Sequence, residues 1–131
     1  MKDLSTFFLV GSGGFLGANA RYWLGSWIHS RLGPAFPWQT LVINVSGSLI
    51  MGFFMGLMSI RNWNTNWQLF FAIGVLGGYT TFSSFSYETV QLFNQRSYSY
   101  AFSYIVGSVL LTVLAAWLGF LFAQLLVGNH A

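Results

Sequence analysis

Three stretches of this chain carry no full charge: 32–60, 62–87 and 97–131. Each exceeds the roughly 20 apolar residues that a helix needs to cross about 30 Å of hydrocarbon. With 55% hydrophobic and 20% aromatic residues but only 5% charged, the chain cannot clothe a soluble surface, which takes about a quarter charged residues. Its 131 residues read as a single four-helix transmembrane domain, residues 1–131, with no room for a soluble one.

Four spans follow from the turn signals. The first covers about Leu4–Ile28 and ends near His29-Ser30-Arg31, where Gly33, Pro34 and Pro37 mark a loop. The second runs from about Trp38 to Ile60 and stops at Arg61-Asn62. The third begins near Asn66 or Trp67 and ends around Asn94, and the fourth runs from about Tyr98 to Val127. Trp27, Trp38, Trp63, Trp67, Tyr98 and Tyr100 fall at the boundaries, as an aromatic belt requires. Ala18-Asn19-Ala20 resembles a signal-peptidase site, but Asp3 and the glycines at 11, 13, 14 and 17 fit a retained, tightly packed helix better.

The net charge of +3 comes from Lys2, Arg21, Arg31, Arg61 and Arg96 against Asp3 and Glu88. These cations stand singly, which excludes a nucleic-acid surface. With four spans, Lys2 and Arg61 lie on one side, Arg31 and Arg96 on the other. Lys/Arg bias sets orientation, and here it is nearly absent. The chain can insert both ways up, which permits an antiparallel dimer with a twofold axis in the membrane plane. Small-residue pairs supply means of helix association: Gly52 with Gly56, Gly14 with Ala18, Ser103 with Gly107. The same pairs also suit packing within one subunit.

One segment does not behave as an anchor. In GGYTTFSSFSYE, positions 77–88, two glycines, five serine and threonine hydroxyls and two phenylalanines interrupt the third span. Residues 75–81 read as a break near mid-membrane, whose freed carbonyls and amides are available to ions; the alternative is an intact helix with a glycine packing face. Polar stripes at i, i+4, i+8 accompany it: Thr40, Asn44 and Ser48 on the second helix, Tyr104, Ser108 and Thr112 on the fourth. Ser83 and Ser84 lie beside Phe82 and Phe85, which share a helical face. Any one hydroxyl is readily satisfied by its own i−4 carbonyl. Three stripes together read as a hydrogen-bonding track.

Donors without carboxylates suit an anion, and a phenylalanine edge is the positive part of its quadrupole. Arg21 either raises the anion concentration in a vestibule or snorkels to the headgroups. Glu88 pairs with an arginine or snorkels outward. No cysteine is present, and His29 and His130 sit at the edges. Nothing marks an enzyme. The rival readings are a small dual-topology proton-coupled exporter, which needs a membrane-embedded carboxylate in its path, and a non-transporting membrane assembly subunit.

These motifs together resemble the Fluc (CrcB) fluoride ion channels. GGFLGANARY at 13–22 is similar to that family's first-helix motif, TLVINVSGSLIMG at 40–52 to its second-helix pattern, and GGYTTFSSFSYE to its signature break. Tyr104, Ser108 and Thr112 match its fourth-helix polar residues. Two departures are small: Ser84 stands for a frequent threonine and Gln39 for a frequent glycine. The resemblance implies a passive fluoride channel: an antiparallel, dual-topology homodimer with two pores, multi-pass in the bacterial inner (plasma) membrane. It implies a central structural Na⁺ held by main-chain carbonyls of Gly77 and Thr80 from both copies. Phe82 and Phe85 become the paired phenylalanines along the pores, while Asn44, Ser83, Thr40, Ser108 and Thr112 carry the polar pathway. Some such channels are made from paired heterologous genes, so a homologous partner is the other possibility.

Overall fold

The computed structural model describes residues 2–60 and 63–128. Arg61, Asn62 and His130, read above as loop and edge residues, lie outside them, as do the side chains of Lys2 and Asp3. The described residues form four long helical passes. α1 spans Lys2–Leu32 and α2 spans Trp38–Ile60. The third pass, Thr65–Asn94, is composite: α3 (Thr65–Trp67), a π-helix over Gln68–Leu76, α4 (Gly77–Tyr79) and α5 (Phe82–Asn94). α6 spans Tyr98–Gly128.

α2, the third pass and α6 are each long and apolar enough to cross a membrane. α1 is longer than α2, but glycines, serines, Asn19 and Arg21 dilute its apolar surface. It extends one turn beyond the expected end because Gly33 closes it. That residue takes φ 75°, and its N–H returns to the His29 carbonyl at 2.9 Å, the αL stop that glycine accepts without strain.

Two seams hold the passes together. α1 lies backbone-to-backbone on the third pass: a Cβ at Gly17 would run into the Val75 carbonyl, and one at Gly13 into that of Phe70. Gly14 and Gly78 meet in the same way. α2 and α6 form the other seam, where a Cβ at Gly52 would strike the Ala116 carbonyl and one at Gly119 that of Leu49. Gly56 faces Ala123 and Phe120. The Gly52–Gly56 and Gly14–Ala18 pairs are therefore spent inside the protomer. Only Gly107, with nothing within 4 Å of its Cβ position, keeps an open surface on its pair.

The third pass departs from expectation at its break. Residues 75–79 stay helical, and the extended backbone is confined to Thr80 (φ −79°, ψ 157°) and Thr81 (φ −152°, ψ 120°). Ahead of it, the π-helix widens the winding for nine residues. A buried cluster of Leu41, Leu92, Ala101 and Tyr104, flanked by Phe36, Val45 and Phe85, ties α2, α5 and α6 at one end.

Candidate functional site

The break is held open by one side chain. Asn44, two turns into α2, donates Nδ2 to the Thr81 carbonyl at 2.9 Å and accepts the Thr81 N–H on Oδ1 at 2.8 Å. In an unbroken helix that N–H would close the bond to the Gly77 carbonyl, four residues back. Gly77 is thereby deprived of its helical partner, and it is exposed in the protomer. The Thr80 carbonyl, also outside helical bonding, accepts from Arg21 Nη1 at 3.3 Å. Arg21 is thus half-buried and aimed at the break.

Thr81 also starts the second half of the pass. Its Oγ1 accepts from the Ser84 N–H at 3.2 Å, an N-cap. The same oxygen lies 3.1 Å from Ser83 Oγ and donates to Ser84 Oγ at 3.2 Å. The three hydroxyls form one knot at the α5 N-terminus, where the helix dipole favours negative charge. Thr81 is missing from the candidate residues named above. Its signal in the sequence is partial: threonine is a favoured N-cap residue, but Ser84 stands where a capping box would have Glu or Gln.

A cleft of about 320 Å³ opens beside this knot. Asn44, Ser48, Thr81, Phe82, Phe85, Ser108 and Thr112 line it. The Thr112 hydroxyl returns to the Ser108 carbonyl at 2.6 Å, the local satisfaction expected of a helical threonine. Ser108 Oγ differs: it is buried and has no hydrogen-bond partner. Phe82 and Phe85 pack at 5.3 Å between centroids, their planes tilted by 45°. Phe85 leans on Tyr104 at 5.1 Å, whereas Phe82 is 77% exposed.

Two candidate pathway hydroxyls point elsewhere. Thr40 donates to Glu88 Oε1 at 2.8 Å, and Tyr104 donates to Glu88 Oε2 at 2.6 Å. Gln39 Nε2 adds a third bond, to Oε1 at 3.2 Å. Among the described residues, Glu88 therefore points inward and takes no arginine as hydrogen-bond partner. Its carboxylate lies against the first turn of α2, whose free N–H ends add to the stabilisation of negative charge. A second cleft, about 340 Å³, is lined by Arg21, Gln39, Thr40, Thr81, Ser84 and Glu88 among others. The structure thus gathers most of the candidates around two neighbouring chambers that share Thr81, whereas Ser83, Tyr104 and Gly77 line neither.

A protein-family model described as CrcB-like protein, Camphor Resistance (CrcB), matches residues 8–120. The chain belongs to the CrcB-like family. Its relatives include a Thermus thermophilus protein named fluoride-specific ion channel FluC, 43% identical over 122 residues, covering 93% of this chain and 96% of the relative. A Rhodospirillum rubrum protein of the same name is 42% identical over 127 residues, covering 92% and 96%. A third, from Nitrobacter winogradskyi, is 47% identical over 111 residues, covering 82% and 87%. The match to the CrcB-like family spans α1 to α6, so it includes both chambers.

Proposed function

We propose that this chain is a passive fluoride-selective channel that exports F⁻ from the cytoplasm. Membership of the CrcB-like family and the names of its relatives support the ion. The observation that carries the mechanism is the buried, unpartnered hydroxyl of Ser108, a residue that lines the cleft beside the α5 N-terminus. A buried donor without a partner costs free energy, and a desolvated anion beside it removes that cost.

Fluoride is small and strongly hydrated, so its water must be replaced by close, well-aimed donors. Ser108 Oγ, the Ser83 hydroxyl and the second N–H of Asn44 Nδ2 supply them, with Phe82 and Phe85 offering ring edges. Arg21 raises the local anion concentration at the entrance, and Thr40 and Tyr104 act by holding Glu88. Hydrogen fluoride enters as a neutral weak acid and dissociates inside. An inside-negative potential then drives the anion out, at about 2.3 kcal/mol per charge per 100 mV.

The channel works as an antiparallel, dual-topology homodimer, each copy crossing the bacterial plasma membrane four times. Three features support this reading: the near-absent Lys/Arg asymmetry, the exposed Gly77 and Phe82 beside the break, and the open Ser103–Gly107 surface. A non-helical backbone at membrane depth needs protein cover, and a second copy provides it. The Gly77 and Thr80 carbonyls suit a hard monovalent cation, since one has lost its helical donor and the other has only a long contact to Arg21. Na⁺ bound there, from both copies, would neutralise carbonyl dipoles that face one another.

Fluoride-electrode recordings of efflux from proteoliposomes test the function, with chloride as control and with imposed pH gradients. Efflux that follows the fluoride gradient and membrane potential supports the channel. Efflux driven by the pH gradient would favour a proton-coupled exporter, and silence an assembly subunit.

A further inference from the structure

The amide of Gln39 is bound on one end only. Nε2 reaches Glu88 Oε1, while Oε1 is buried without any partner. Turning the amide over would set its oxygen against the carboxylate oxygen, so Glu88 fixes its orientation, even though an acceptor is left unsatisfied. Buried groups in that condition are uncommon and call for a compensating role. The compensation lies in what the bond restrains. Glu88 borders the same cleft as Arg21, and no hydrogen bond joins the two among the described residues.

We propose that Gln39 is a positioning residue that holds the Glu88 carboxylate against α2 and α6 and keeps it from turning toward Arg21. The inference rests on reading this chain as a fluoride channel. Tyr104 alone holds Oε2, whereas Oε1 takes two donors from adjacent residues of α2, Thr40 and Gln39. Without the Gln39 bond, Oε1 depends on one rotatable hydroxyl, and its release lets the carboxylate turn about the Tyr104 bond. Released, the carboxylate would pair with Arg21. The cleft would then lose the cation that attracts anions and present a negative group in its place. Electrostatic attraction in a narrow cleft changes anion entry by about ten- to a thousandfold, so a partial loss reads out as reduced flux.

The test is a mutant cycle in proteoliposomes, read by fluoride electrode. Gln39→Met keeps side-chain length and removes the donor; Gln39→Ala removes the side chain beyond Cβ and carries the test should the methionine disturb packing. Each is paired with Glu88→Gln, which removes the charge. Both single variants at position 39 are expected to lower fluoride flux about tenfold while dimer elution and melting stay as in the wild type. In the Glu88→Gln background the same changes should alter flux by less than about twofold, because the group they restrain no longer repels anions. Wild-type flux in both position-39 variants overturns the inference. So does an equal loss with and without the Glu88 charge. Vesicles in which the wild type itself passes no fluoride would instead sink the channel reading, and this inference with it.

Discussion

Asn44 satisfies both polar groups of one residue: its amide donates to the Thr81 carbonyl at 2.9 Å and accepts the Thr81 N–H at 2.8 Å. A side chain on α2 thus stands in for the helical neighbours that Thr81 lacks. Replacing it leaves a buried donor and a buried acceptor unpaired, at about 1–3 kcal/mol each. Asn44→Ala is therefore expected to lower the melting temperature in detergent and to cut fluoride flux by at least about tenfold. Asn44→Asp keeps the acceptor for the Thr81 N–H but sets a carboxylate oxygen against the Thr81 carbonyl, and should be no better. Retained flux in a folded Asn44→Ala protein would release this residue from both roles.

Ser108 gives the opposite balance of stability and function. Its hydroxyl bonds nothing within the protomer, so Ser108→Ala removes an unsatisfied buried group and should leave stability unchanged or raise it by up to about 1 kcal/mol. Flux should nevertheless fall. Thermal melting and fluoride efflux measured on one preparation decide the point. A variant that melts higher and conducts normally would show that the hydroxyl is a tolerated defect with no share in ion binding.

The spans were legible because hydropathy and turn residues are local signals. Trp38–Ile60 coincides with α2, and Asn94 ends α5 as read. The break was placed too early because glycine permits unwinding without requiring it. Gly77 and Gly78 stay helical, and Gly78 serves close approach to α1. Composition could not reveal the π-helix at Gln68–Leu76, since QLFFAIGVL is apolar on every face and suits either winding. The partners of Glu88 were illegible for a different reason. Periodicity shows that Thr40 and Tyr104 each belong to a stripe, but not which neighbouring helix a stripe faces, and these residues lie 48 and 16 positions from Glu88. Thr81 was legible only in part, since threonine is a favoured N-cap residue but Ser84 does not complete a capping box.

The turn between α5 and α6 carries a strain that can be relieved. Arg96 takes φ 57°, and the bonds from Arg96 N–H to Phe93 and from Ser97 N–H to Leu92 form the helix-ending motif that favours glycine at this position. Arg96→Gly should stabilise the protein by about 1 kcal/mol. The same change removes a positive charge from one membrane face, so melting should be compared with Arg96→Asn, which tolerates the same backbone. A loss of stability in both would mean that the guanidinium is an anchor worth more than the strain.

The phenylalanine pair separates packing from ion contact. Phe85 rests on Tyr104, while Phe82 is 77% exposed in the protomer. Isoleucine keeps bulk but lacks a quadrupole, so Phe85→Ile should cost less than about 1.5 kcal/mol of stability. If ring edges contact the anion, both Phe82→Ile and Phe85→Ile should assemble yet lose an order of magnitude or more of flux. Normal flux in both would take the rings out of the mechanism.

Dual topology is the claim on which both pores depend. With so little difference in positive charge between the two faces, the insertion machinery has no basis for a single orientation. The chain contains no native cysteine, so single replacements report cleanly. Arg31→Cys and Arg61→Cys, on opposite faces of the reading, should each be labelled by an impermeant maleimide from outside intact cells to about half of the total reached after lysis, as follows from equal insertion both ways up. Because each change also alters the charge balance, Ser30→Cys and Asn62→Cys should repeat the result with every arginine in place. Labelling of positions 30 and 31 from one side only, and of positions 61 and 62 from the opposite side only, would establish a single orientation. An antiparallel assembly would then require a second, oppositely inserted homologue.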